Sequence, residues 1–200
     1  MKKCPQLNGQ PFILFLSRLH EKKGVDLLVK AYSAIINTNK KNEAASTIII
    51  PKLVIAGPGL DSDYGKNIQQ FVQNSGELSG SVFFTGMLSG DAKWGAFYAA
   101  EAFVLPSHQE NFGIAVVEAL ACGKPVLISK QVNIWHEIIE GGGGIVGADT
   151  TKGTLQLLEL WNGLSMKEKE TMSTNARLVF QKHFKIETAA ARFKEALISC

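Results

Sequence analysis

The stretch that decides the fold reads Ala102-Phe103-Val104-Leu105-Pro106-Ser107-His108-Gln109-Glu110-Asn111-Phe112-Gly113-Ile114-Ala115-Val116-Val117-Glu118-Ala119-Leu120-Ala121-Cys122-Gly123-Lys124-Pro125-Val126-Leu127-Ile128-Ser129. It opens and closes on short, nearly continuous apolar runs, Ala102–Leu105 and Val126–Ser129. Neither run alternates, and an apolar run without alternation fits a parallel strand buried on both faces. Between them a polar loop ends at Gly113, after which Ile114, Val117, Glu118 and Ala121 recur at helical spacing. Strand, loop, helix, strand is the repeating unit of a parallel α/β sheet.

The unit recurs in both directions. Apolar runs at Phe12–Leu16, Leu53–Ala56, Val82–Thr85 and, more weakly, Ile145–Val146 bring the set to about six strands. Val25, Leu28, Val29 and Tyr32 have helical spacing. Asp61-Ser62-Asp63 opens another helix, and Ser89-Gly90-Asp91 one that runs through Ala100. The alternation predicts an α/β fold, a Rossmann-like doubly wound parallel sheet with right-handed crossovers. One domain is expected over residues 1–200, with the sheet core at about 11–148 and helices over 149–200. Those helices are expected at about 151–162, 166–183 and 187–198, the later two opened by Ser165 and Glu187. The polar stretch Asn37–Ser46 lengthens the first helix–strand connection, and the glycines at 141–144 turn the chain into the last strand.

Bulk properties narrow the function classes. The 200 residues are 46% apolar, which suits one folded domain with a sizeable core. A formal charge of +3, spread along helical stretches with no basic block, argues against a nucleic-acid partner. No apolar run approaches the ~20 residues of a transmembrane helix, and Met1-Lys2-Lys3 leads into polar residues rather than a signal core. Cys4, Cys122 and Cys200 match neither a disulfide nor a zinc framework, so a reducing cytoplasm is the expected setting. There is no G-x-x-x-x-G-K-[ST], and Gly57-Pro58-Gly59 lacks the third glycine of a dinucleotide fingerprint because position 62 is Ser62. H-E-x-x-H and G-x-S-x-G are absent, as is any clustered carboxylate–histidine metal set.

In a doubly wound sheet, ligands bind outside the carboxyl ends of the strands, near the switch in strand order. Three loops lie at such ends. Ser17–Gly24 carries Arg18 and Lys23, a planar fork and a point charge that suit a diphosphate at a helix N-terminus. Spacing alone favours the plainer reading of two solvated cations on a turn. Pro106–Gly113 carries Glu110, a carboxylate able to accept bonds from sugar hydroxyls, and His108, which could touch phosphate or sugar. Gly113 permits close approach of a ligand to backbone. Glu118 stands on an otherwise apolar helix face, where a carboxylate is costly unless paired. A vicinal diol such as ribose would pair it, and so would a neighbouring lysine. The third loop, Phe83–Leu88, contains Gly86, where backbone groups can approach a base edge, although from the sequence alone a plain strand with a tight turn explains it better.

These segments together resemble the C-terminal domain of the family-4 retaining glycosyltransferases, enzymes of the B-type fold with two Rossmann-like domains. Leu16–Leu28 resembles the family's G-R-L-x-x-x-K-G-x-x-x-L signature, with Ser17 in place of the usual Gly. Val54–Gly59 is similar to its second strand and turn, and Ser107–Ser129 to its E-x7-E segment. The resemblance implies that Arg18 and Lys23 bind the donor diphosphate and stabilise it as it leaves, that Glu110 contacts the donor sugar, and that Glu118 binds the ribose hydroxyls. It further implies that Gly86 and Met87 face the base, and that backbone around Asn111, Phe112, Gly113 and Ile114 holds sugar and phosphate. Arg18, Lys23 and Glu110 would be the catalytic set, with no cofactor and no metal ion. The expected partners are a nucleotide-diphosphate sugar and an N-terminal acceptor domain that this chain lacks, so the chain is expected to bind donor and transfer little sugar unaided. The same resemblance leaves room for a nucleotide-sugar 2-epimerase or a sugar phosphorylase on this fold, and for a non-catalytic nucleotide-sugar-binding or interaction module.

Overall fold

The structure, a computed structural model, describes residues 7, 9–41 and 49–187. Six parallel strands form one sheet: β1 (Phe12–Leu16), β2 (Lys52–Ala56), β3 (Val82–Gly86), β4 (Ala102–Leu105), β5 (Val126–Ser129) and β6 (Gly144–Gly147). Their order is β3-β2-β1-β4-β5-β6, so the direction of winding reverses between β1 and β4. This is the doubly wound, Rossmann-like α/β fold expected from the apolar runs. Strands β4 and β5 are buried at every residue, which explains why neither alternates.

The helices are α1 (Val25–Lys41), α2 (Asp63–Asn74), α3 (Gly90–Ala99), α4 (Ile114–Ala121), α5 (Trp135–Glu140), α6 (Thr151–Gly163) and α7 (Met166–Val179), the last continued by a π-helical turn over Phe180–Phe184. Helix α1 packs against α2 and α6, while α7 packs against α4 and α5. Reversal of winding at β1/β4 puts these two groups on opposite faces of the sheet. Ser62 and Ser165 accept bonds from the first-turn amides of α2 and α7, and Ser165 forms a full capping box with Glu168. The core runs from Phe12 and Phe15 on β1 through Phe103 on β4 to Tyr32 and Trp161 on α1 and α6. Each such buried side chain stabilises the fold by roughly 1.5–3 kcal/mol. Tyr32 satisfies its buried hydroxyl by donating to the Pro51 carbonyl at 2.8 Å.

Two local expectations change. The six residues of α5 and the 3-10 turn Glu21–Lys23 are absent from the sequence reading, because one or two turns are too short to show a helical period. The helix expected at 187–198 lies outside the described residues apart from Glu187 itself, as do Cys4 and Cys200; Cys122 is a buried free thiol.

Candidate functional site

The strand-end loops are fastened to one another through backbone. The Ser17 amide donates to the Ala56 carbonyl at 3.1 Å, Leu19 to Pro58 at 2.9 Å, and Gly57 to Gly86 at 2.9 Å, which ties the ends of β1, β2 and β3 side by side. Across the switch point, the His108 amide donates to the Lys22 carbonyl at 2.8 Å. The Ser107 hydroxyl donates to the same carbonyl at 2.7 Å. Gly24 makes this closeness possible: its φ is +67°, and a Cβ there would lie 2.2 Å from the Pro106 oxygen.

The consequence is that Lys23 meets Glu110. The Lys23 ammonium donates to Glu110 Oε2 in an ion pair whose side chains are 18% and 20% exposed. The backbone of Glu110 is held independently, because its amide donates to Gln131 and its carbonyl accepts from Asn133, each at 3.0 Å. The carboxylate therefore projects from a bridge to the loop after β5, not from a free tip. Arg18 is exposed and takes no hydrogen bond or ion pair among the described residues.

Helix α4 begins beside this pair. Gly113 is its N-cap, with φ +69° and no side-chain capping bond, so the first turn presents amides that no side chain covers. Such a terminus favours an anion. Asn111, Phe112 and Ile114 around it are exposed, and the Phe112 ring meets Phe184 edge-on with centroids 5.9 Å apart. Gly86 and the exposed Met87 close β3, two strands away from β1.

Glu118 changes the sequence argument. Its Oε1 accepts from the Lys93 ammonium of α3 at 2.6 Å. Of the two partners left open for an acid on this apolar face, the structure supplies the lysine. The cost of the half-buried carboxylate is thus met inside the chain, and burial alone no longer calls for a diol. His108 also has a protein partner: its Nδ1 lies 2.9 Å from Asp149 Oδ2. That bond, more than any other influence, holds the Asp149 carboxyl below the usual range for an aspartate.

The model for glycosyl transferases group 1 matches residues 1–179. The chain belongs to this family. An uncharacterized glycosyltransferase of Methanocaldococcus jannaschii is 33% identical over 123 residues, which is 62% of this chain and 28% of that protein. The lipopolysaccharide 1,2-N-acetylglucosaminetransferase of Salmonella typhimurium is 26% identical over 187 residues, 92% of this chain and 47% of that protein. The chain therefore spans about half, or less, of the length of these relatives. Among solved structures, HepE of Anabaena in complex with UDP and glucose superposes with a TM-score of 0.77 at 22% identity, covering 100% of this chain and 52% of that one. A glycosyltransferase from Rickettsia africae superposes with a TM-score of 0.78 at 16% identity, covering 98% of this chain and 50% of that one. These likenesses place the fold with one half of the B-type glycosyltransferases.

In this group 1 chain, Lys23, Glu110 and the start of α4 meet at the switch point, with Arg18 on the same strand-end loop as Lys23. Glu118 lies on the second turn of α4, and Gly86 and Met87 stand two strands off. Sequence reading missed Lys93, Asp149 and Gln131, whose Nε2 is 3.5 Å from Asp149. Lys93 is 25 residues from Glu118 in the chain and Asp149 is 41 from His108, so no local spacing announces either pair. No helix among the described residues is long and apolar enough to cross a membrane.

Proposed function

We propose that this chain is the donor-binding domain of a retaining glycosyltransferase that transfers a hexosyl group from a nucleotide-diphosphate sugar to an acceptor. The observation that carries the reading is the meeting of Lys23, Glu110 and the uncapped N-terminus of α4 at the switch point, with Arg18, which has no hydrogen bond or ion pair among the described residues, on the same loop as Lys23. Loops tied by backbone hold these groups in place before any ligand arrives, which is what stabilising a developing charge requires.

In this reading the diphosphate lies between Arg18, Lys23 and the first turn of α4. As the bond between the sugar carbon and the phosphate oxygen breaks, its electron pair goes to the departing diphosphate. The two cations and the helix start offset that charge in place of a divalent ion, and they act most strongly in the transition state. Lys23 keeps two further N–H donors beside its bond to Glu110, so it can hold carboxylate and phosphate together. Glu110 turns its free oxygen to the sugar hydroxyls. Glu118 takes the ribose. The Gly86–Met87 turn, roughly 10 Å from β1 at the usual strand spacing, faces the base. HepE, crystallised with UDP and with UDP-glucose, supports the class of ligand. A second domain, which the half-length coverage of the relatives supports, supplies the acceptor side of the cleft. The 200 residues alone then bind donor and transfer little sugar. The cytoplasm is the proposed setting, where Cys122 stays a free thiol.

Calorimetric titration with UDP, ADP, GDP and their glucose conjugates tests the reading. Binding of one of them is the expected result. No measurable heat or displacement with any of them overturns the donor site.

A further inference from the structure

The Lys93–Glu118 pair has no place in the motifs that led to the site. Lys93 stands on the first turn of α3, which follows directly from the β3 turn, while Glu118 stands on the second turn of α4. The two helices meet at this bond, with both side chains about a fifth exposed, at 23% and 21%. Lys93 is itself oriented, because its ammonium lies 4.5 Å from the centroid of the neighbouring Trp94 ring, within cation–π range. Only Oε1 of Glu118 is engaged. Oε2 takes no protein partner among the described residues, and it is not buried.

We infer that Lys93 is a positioning residue for the ribose of the donor, an inference that rests on the donor-site reading above. The ammonium fixes one carboxylate oxygen and so restricts the other, which stays available to accept bonds from a bound diol. A carboxylate free to rotate loses orientational freedom when a diol binds; one already held by Lys93 loses less, and its charge is already compensated. Lys93 also joins the helix that leads from the base-facing turn to the helix whose start faces the diphosphate. It thereby links the elements assigned to the base and to the diphosphate of the nucleotide.

The test compares wild type, Lys93→Met and Lys93→Arg in titrations with three probes. These are the nucleoside diphosphate that wild type binds, its 2′-deoxy analogue, and inorganic pyrophosphate. Thermal unfolding of each variant is measured alongside. Lys93→Met is expected to weaken the ribonucleotide about tenfold or more, the worth of a charge-assisted bond. It is expected to leave pyrophosphate unchanged and to bring the ribose and deoxyribose affinities together. Lys93→Arg restores most of the difference. An unchanged ribose-to-deoxyribose ratio in Lys93→Met overturns the inference, as does an equal loss for pyrophosphate, which would make Lys93 a support of the fold. Failure of wild type to bind any nucleoside diphosphate is a different result, which overturns the donor site and this inference with it.

Discussion

The two ends of the sheet carry the same residue types and use them differently. At the carboxyl end, Lys23 and Glu110 pair because the backbones that bear them are fastened, through Gly24 against Pro106 and through Glu110 to the loop after β5. At the amino end, Glu101 just before β4 has its amide fastened to the Phe12 carbonyl at 2.9 Å, yet its carboxylate lies 3.7 Å from Lys169 of α7, beyond a hydrogen bond. Lys169 lies instead 4.7 Å from the centroid of the Trp161 ring. Glu101 Oε2 and Trp161 Nε1 stay buried without hydrogen-bond partners among the described residues. Burial also lowers the pKa of Lys124 at this end. Preset charge, open to a ligand, distinguishes the first end; side-chain packing that tolerates unmet polar atoms distinguishes the second.

A substitution at Gly24 strikes hardest at this contrast. Gly24→Ala forces a Cβ to 2.2 Å from the Pro106 oxygen at a backbone angle that L-residues avoid. A loss of roughly 2–4 kcal/mol in urea unfolding is expected, together with loss of nucleotide binding. Gly163→Ala near the amino end meets nothing within 4 Å and should change stability by no more than about 0.5 kcal/mol. Equal losses at the two glycines would show that the carboxyl-end loops are no more tightly set than the rest.

Next in size is Arg18→Ala. Because Arg18 is exposed and makes no hydrogen bond or ion pair with a described residue, its removal should leave the unfolding midpoint where it is. Diphosphate affinity should fall by roughly 1.5–3 kcal/mol. Lys169→Ala at the opposite end should leave affinity untouched. A response to Lys169 and none to Arg18 would place the ligand at the wrong end of the sheet.

Glu110 and Glu118 sharpen the contrast within the carboxyl end. Glu118→Gln should weaken nucleoside diphosphates and sugar-linked donors alike, and Glu110→Gln only donors that carry a sugar, each by about 1–2 kcal/mol. Parallel losses in the two variants would remove the division of labour between loop and helix.

The strands were legible because burial on both faces writes itself into consecutive residues, as at Ala102–Leu105. Helix starts were legible where a serine caps, as at Ser62 and Ser165. Lys23 and Glu110 were each readable as strand-end groups, but their contact was not, since it depends on how closely Gly24 lets two loops approach. Glu118 was readable as an acid needing a partner. Choosing between a diol and Lys93 required knowing that the fold brings the Lys93 ammonium of α3 to Glu118 of α4, a fact of tertiary structure that no periodicity records.

The smallest expected effect belongs to Asp149. Its bond to His108 joins the loops after β4 and β6 on the far side of Glu110. Hydrogen bonding to the ionised form holds its folded pKa below the unfolded value of about 3.9. A depressed acid contributes stability that is present above the unfolded pKa and lost as pH falls through the folded one. Wild type should therefore exceed Asp149→Asn in urea stability at pH 5, and the gap should close on going to pH 3. Keeping both measurements at or below pH 5 confines the comparison to the carboxylate's range. A gap that stays constant would mean that the carboxylate is free of His108 in solution. The far wall of the site would then lack the fastening that the near wall has at Lys23 and Glu110.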